Sequence, residues 1–218
     1  MRVESFGNRK IEMRAYHGTL LSKAESILES GFWSSSGIDH WLGTGVYFFR
    51  EDETQAKFYA ERDRFRLMKK GQFRKAKSPE YDGCIFEWCE TLQGEEFLNL
   101  DTRDGAVFFD KHMKATKKML LSKGYKVETA LWQWNNELFN LIPPKYTVIQ
   151  RTFPVPSEKL GNHSEALFNT LMFFPILKGN RDISAEVSSI NTELIHGTQV
   201  VVRNPQRIDT TKLSWMAC

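Results

Sequence analysis

Ile11-Glu12-Met13-Arg14-Ala15-Tyr16-His17-Gly18-Thr19-Leu20-Leu21 alternates apolar and polar side chains up to a His-Gly-Thr step, and Gly43-Thr44-Gly45-Val46-Tyr47-Phe48-Phe49 opens on glycines before an apolar run. Period-two alternation is the mark of a half-buried strand, and a short apolar run after a Gly-rich turn is the mark of a buried one. Between them, Leu20, Leu21, Ala24, Ile27 and Leu28 fall on one helical face. Ser22 with Glu25 reads as a capping box, and Gly31 stops the helix. Beyond the second strand, Asp52 with Gln55 caps another helix, which carries Ala56, Tyr59 and Ala60.

Further along, strands are expected at Cys84–Trp88, Phe97–Leu100, Tyr146–Phe153 and Gln199–Arg203. Helices are expected at Lys111–Lys123, Thr129–Leu141 and Ser164–Phe174, with prolines at 143, 144 and 175 ending the last two. Strands and helices interleave without a βαβ rhythm, so the class is α+β. The chain has 218 residues and no low-complexity tract or fold-scale repeat, so residues 1–218 are expected to form a single domain, with 1–10 loose.

Composition narrows the function. Hydrophobic residues make up 41% and charged residues 26%, which suits a globular core and excludes wholesale disorder. No apolar run or leader suggests a membrane segment or secretion, and three cysteines form no disulfide framework, so a cytoplasmic location without membrane partners is expected. Cys84 and Cys89, an odd number of residues apart, would face opposite sides of one strand. The net charge of +3 is too mild to demand nucleic acid by itself. It is unevenly placed, however: Arg62, Arg64, Arg66, Lys69, Lys70, Arg74, Lys75 and Lys77 crowd one stretch, with Phe65 and Phe73 among them. A solvated helix face is one reading of that run, and a phosphate-tracking surface is the other.

Several chemistries drop out. Gly43-Thr44-Gly45 lacks the third glycine of a dinucleotide fingerprint and precedes a strand instead of following one. The five histidines lie too far apart for a metal-ligand pattern, so no metal is expected, and no Gly-x-Ser-x-Gly elbow exists.

The combination of Tyr16-His17-Gly18-Thr19, Gly43-Thr44-Gly45-Val46-Tyr47-Phe48, the helix segment Gln55-Ala56-Lys57-Phe58-Tyr59-Ala60 and the late strand from Gln199 resembles ADP-ribosyltransferases of the diphtheria-toxin and poly(ADP-ribose) polymerase type, with their His-Tyr-Glu set. It is also similar to small bacterial transferases that begin with Tyr-His-Gly-Thr. His-Gly-Thr alone carries little weight, because His196-Gly197-Thr198 repeats it. The order of strand, helix, glycine loop and Tyr47 carries the likeness. It covers residues 13–60 and about 199–208.

The resemblance implies a fold of two packed, mainly antiparallel sheets with flanking helices and a cleft for NAD+, which is consumed as a substrate. It implies a mono-ADP-ribosyltransferase acting on RNA, DNA or protein in a toxin or antiphage defence setting, with an antitoxin or other neutralising partner. His17 would bond the adenosine-side ribose, the Gly18 main chain would hold the nicotinamide amide, and Thr19 would support ribose or phosphate. Tyr47 would stack on nicotinamide, opposite Phe58 by family spacing, with Tyr59 as the runner-up. The loop around Asp39, His40 and Trp41 would form a lid.

The family's glutamate falls on Gln199, with Glu186 and Glu193 as nearby substitutes under another register. Glutamine keeps the hydrogen bonds of glutamate and loses its charge. The sequence therefore fits a transferase with a neutral third residue, a module that binds NAD+ or ADP-ribose without turnover, or an inactivated form. A water acceptor would make it an NAD glycohydrolase.

Overall fold

Alternation from Lys10 to Leu20 is realised as an eleven-residue strand, β1, whose odd-numbered side chains Met13 and Ala15 go to one core and whose Tyr16 goes to another. The computed structural model describes residues 9–35, 42–124, 138–153 and 197–218. The lid residues Asp39, His40 and Trp41, the repeat's His196, Glu186 and Glu193, the expected helix 164–174 and most of that at 129–141 lie outside the described residues.

After β1 come α1 (Leu21–Ser30), β2 (Val46–Arg50), α2 (Glu53–Lys69), the short α3 (Phe73–Ala76), β3 (Gly83–Gln93), β4 (Phe97–Asn99), α4 (Arg103–Ser122), β5 (Val148–Phe153), β6 (Gly197–Val202) and β7 (Ser214–Ala217). The class is α+β. Local signals hold in part. Asp52 accepts from the Gln55 amide at the start of α2, and Gly31 ends α1 with φ of 82°. The capping box at Ser22 does not form, because α1 starts one residue earlier, with Leu20 at the N-cap position and Ser22 inside the first turn; the Leu21 amide donates to the Asp82 carbonyl at 2.8 Å. Helix α4 begins eight residues before the expected Lys111, capped by Thr102, which accepts from the Gly105 amide.

The strands form one seven-stranded sheet in the order β4-β5-β6-β2-β1-β3-β7, antiparallel except for β4 with β5. This corrects the expectation of two separate sheets. The joint is narrow. β1 matches β3 along its whole length, but it meets β2 only at Ala15↔Arg50 and Tyr16↔Phe49. Two blocks, β4-β5-β6-β2 and β1-β3-β7, are therefore stitched by two residue pairs.

Alternation sorts the side chains. Val46, Phe48, Phe86, Trp88, Val200 and Val202 pack with Ala24 and Ile27 of α1 on one face. The other face is divided: Tyr16, Phe49 and Ile85 lie under Ala56 of α2, while Ile149, Phe153 and Val201 lie under Phe109 and Met113 of α4. Among the described residues no helix is long and apolar enough to cross a membrane.

Helix α2 lies on β1 with backbone against backbone. A Cβ on Gly18 would fall inside the Ala56 carbonyl and 2.9 Å from the Ala60 nitrogen, and main-chain atoms have little room to yield. Gly18→Ala should therefore destabilise the fold by about 1–3 kcal/mol or more, as overpacking does. Urea unfolding with a midpoint equal to wild type would show that α2 does not pack this closely.

Candidate functional site

Where β1 and β2 part, a side chain takes over from the ladder. Nδ1 of His17 donates to the main-chain carbonyl of Tyr47 at 2.7 Å, one step past the last strand pair. The ring is held by Phe32, with centroids 5.1 Å away, and by Phe48 at 5.6 Å. Burial pushes the His17 pKa below its ordinary value of 6.5, the carbonyl of Tyr47 pulls it back, and Lys23 adds to the lowering. The neutral ring is favoured, with its proton on Nδ1, so Nε2 is left as an acceptor.

Tyr47 leaves β2 on the opposite face from His17 and packs against the core of Leu42, Phe139 and Val201. Its hydroxyl donates to the Gly43 carbonyl at 2.6 Å and accepts from the Leu42 amide at 2.9 Å, so it pins the glycine loop. Burial raises its pKa far above the usual tyrosine range. Gly43 has φ of 89°, and a Cβ there would lie 2.8 Å from the Asn140 side chain. Asn140 closes the other side of the loop. Its carbonyl oxygen accepts from the Thr44 amide at 2.8 Å, and its nitrogen bonds the Thr44 hydroxyl at 3.1 Å. Arg203, just past β6, holds that segment by donating to the carbonyls of Asn140, Ile142, Pro143 and Tyr146.

The two candidate stacking residues on α2 part company. Tyr59 lies against Phe49, with centroids 6.0 Å apart, and is a minor contributor to the raised pKa of Tyr47. Phe58 stacks instead on Phe65, at 5.7 Å with planes 23° apart. Tyr59 is thus the aromatic that α2 brings toward Tyr47. One turn earlier, Nε2 of Gln55 is shielded from solvent and has no hydrogen-bond partner among the described residues. Thr19 is partly exposed and pairs with Cys84 on β3.

Gln199 is 6% exposed and sits opposite Phe49 on β2 and Arg151 on β5. Alternation puts it on the face of Tyr47, since Val201 enters that core while Val200 and Val202 enter the other. Tyr47 on β2, Tyr59 on α2 and Gln199 on β6 thus share the face of Gly18, while His17 projects to the opposite face and reaches Tyr47 through its main-chain carbonyl, and Phe58 lies outside. Asn140, Arg151 and Arg203 were not singled out from the sequence as site residues, and Gln55 only as the partner of the Asp52 cap. Gln55 had a signal, standing one helical turn before Tyr59. Asn140, Arg151 and Arg203 act through contacts distant in sequence, for which periodicity gives no sign.

Arg151 changes the electrostatics. It is 5% exposed, its guanidinium lies 5.3 Å from the Phe153 ring centroid, and burial lowers its pKa while Asp101 raises it. A positive group therefore lies directly across from Gln199. Among the described residues there is no group of His, Cys, Asp and Glu suited to hold a metal. A groove of about 460 Å³ lined by Glu12, Arg14, Glu51, Cys89 and Lys212 opens at the other end of the β1–β2 joint, beside the Ala15↔Arg50 pair.

Over 80 residues the chain is 41% identical to an uncharacterized protein of Methanocaldococcus jannaschii, a match that covers 35% of this chain and 37% of that protein. No protein-family model matches the chain, and no solved structure does.

Two outcomes follow from the geometry. Replacing Arg203 by methionine leaves the carbonyls of the 140–146 segment without their donor, so Arg203→Met should cost about 1–3 kcal/mol in urea unfolding. An unchanged midpoint would mean that the segment holds itself. For His17 the folded pKa is below the unfolded one, so the unfolded chain binds more protons just below pH 6.5. The stability it contributes is present above that pH and is lost on acidification, and His112 shifts in the same sense. His17→Gln should lose less stability than wild type between about pH 7 and pH 5. Equal losses would assign the acid sensitivity elsewhere.

Proposed function

We propose that the chain is an ADP-ribosyltransferase-type domain that holds NAD+ at the β1–β2 seam and transfers its ADP-ribose to a macromolecular acceptor. The observation that carries this reading is the parting of the two strands directly after Tyr16↔Phe49. Past it, the β1 edge from His17 onward has no partner strand on the β2 side among the described residues. Unpaired main-chain groups on such an edge suit a carboxamide, which both donates and accepts.

The chemistry fits the residues that meet there. The bond between nicotinamide and C1′ of the ribose breaks, nicotinamide keeps the electron pair, and positive charge builds on the ribose. A nucleophilic atom of the acceptor then bonds C1′ and releases its proton. Tyr47 and Tyr59 supply aromatic surface for a flat ring, with about 1 kcal/mol available from a well-placed stack beyond area burial. Nε2 of His17 is an acceptor for a ribose hydroxyl. Gln199 bonds hydroxyls and cannot offset the ribose cation.

A second reading has its own support in Arg151. Positive charge across from Gln199 opposes a cationic transition state and suits the phosphates of a bound dinucleotide. The same site would then bind NAD+ or ADP-ribose with little or no turnover. Titration calorimetry separates binding from chemistry. Wild type should bind NAD+, and His17→Ala and Tyr47→Ala should each bind more weakly while remaining folded. Unchanged affinity in both variants would remove the seam as the site. Gln199→Glu should raise nicotinamide release by roughly 100-fold, the usual worth of one preorganised electrostatic group. Equal rates in the two forms would mean that position 199 does not face the reacting ribose.

A further inference from the structure

The stack of Phe58 on Phe65 lies outside the seam and within the most basic part of the chain. Between residues 61 and 77 there are eight lysines and arginines against Glu61 and Asp63, a local excess of six that exceeds the +3 of the whole chain. The remainder of the protein is therefore net negative, and its positive charge is concentrated on the second half of α2, the turn at Gly71 and α3.

Intramolecular pairing uses only part of that charge. Arg64 is engaged by Asp82, and Arg62 and Arg66 share Asp63. Lys70, Arg74 and Lys77 are exposed and have no ion pair among the described residues. Aromatic surface is interleaved with these cations. Phe65 is 38% exposed and Phe73 58%, an unusual state for two phenylalanines on neighbouring helices. Helix α2 also runs from the seam: its buried Ala56 abuts Gly18, and the Arg62 guanidinium lies 4.1 Å over the Tyr59 ring. Basic and aromatic surface is thus continuous from the Tyr59 ring to α3.

We propose that the outer side of α2 and α3 is a docking surface for single-stranded nucleic acid, with Lys70, Arg74 and Lys77 tracking phosphates and Phe65 and Phe73 receiving bases. Alternating cations and ring faces match an unpaired strand, which offers phosphates and bare base faces together, whereas a duplex hides those faces. The stretch of α2 from Tyr59 to Lys69 spans about 15 Å at ~1.5 Å per residue, room for a few nucleotides before α3. As a statement about the acceptor the proposal rests on the transferase reading above, since a strand lying along α2 has its end at Tyr59. As a statement about binding it stands alone.

The test uses the full chain and fluorescein-labelled twenty-nucleotide oligouridine and oligothymidine, with anisotropy read over a range of KCl concentrations. Both strands should bind at low salt, with affinity falling steeply as salt rises. A preference between them would identify the natural strand as RNA or DNA. The combined variant Lys70→Glu, Arg74→Glu, Lys77→Glu should lose at least about tenfold in affinity while binding NAD+ as wild type does. Phe73→Ala, which removes an exposed ring and leaves the charge, should lose between about fivefold and one hundredfold. Tyr47→Ala should keep strand binding. Absence of binding at low salt overturns the proposal, as does equal affinity for a duplex, polyglutamate or anionic phospholipid vesicles. Strand binding without any NAD+ binding would sustain the docking surface and remove the transferase reading. NAD+ binding without strand binding would do the reverse. With both present, radiolabel from NAD+ should appear on the strand, and label found only on protein would refute nucleic acid as the acceptor.

Discussion

The contact of α2 with β1 at Gly18 is the constraint on which the rest of the arrangement hangs. Only a residue without a side chain lets the Ala56 carbonyl and the Ala60 nitrogen come so close to a strand. With α2 seated there, Tyr59 is delivered to Phe49 and toward Tyr47, and the Asp52 cap fixes where the helix starts. The same seating orients Phe58 and Phe65 outward, so one glycine sets both the aromatic lining of the seam and the direction of the basic surface. The family resemblance assigns Gly18 to nicotinamide; the packing gives it a structural duty that holds whether or not NAD+ binds.

A second constraint is the narrow joint between β1 and β2. Along the main chain, two strand pairs, the Glu51 amide on the Arg14 carbonyl and the His17–Tyr47 bond join the blocks, and the core of Phe48, Phe86, Trp88 and Val200 packs across them. The far side of the joint is stiffened by polar contacts. Tyr47 ties down Leu42 and Gly43, Asn140 ties down Thr44, and Arg203 ties down the segment that carries Asn140. Arg203 stands four residues from Gln199 on the same chain segment, so the strand that carries Gln199 also braces the segment that holds the glycine loop before Tyr47.

Much of this was legible in the sequence, for definite reasons. Strands β1 and β2, the Gly31 stop and the Asp52 cap each have local signals that tertiary contacts did not override. The capping box at Ser22 does not form because the helix starts at Leu21, where the amide donates to the distant Asp82 carbonyl and Ser22 falls inside the first turn. The first half of α4 lay outside the expected Lys111–Lys123, and Gly105 there lets the helix approach the Asn99 carbonyl, a contact that periodicity does not encode. The exchange of Phe58 for Tyr59 follows from helical phase. With Ala56 and Ala60 against the sheet, position 59 falls beside the core and 58 beyond it. Family spacing carries no such information. Joining of the strands into one sheet depends on pairing of Gln199 with Phe49, 150 residues apart, which periodicity does not encode.

Electrostatics set the remaining question, because Gln199, where the resemblance implies a carboxylate, is a neutral amide and its cross-strand neighbour is a cation. Position, not rate, is therefore the property that tests the seam most directly. A crystal structure of the chain with a non-hydrolysable NAD+ analogue should place the nicotinamide ring against Tyr47 and Tyr59, its carboxamide on the β1 edge beyond Tyr16, and a ribose hydroxyl at His17. An analogue bound elsewhere, with the seam closed as in the free chain, would contradict the account.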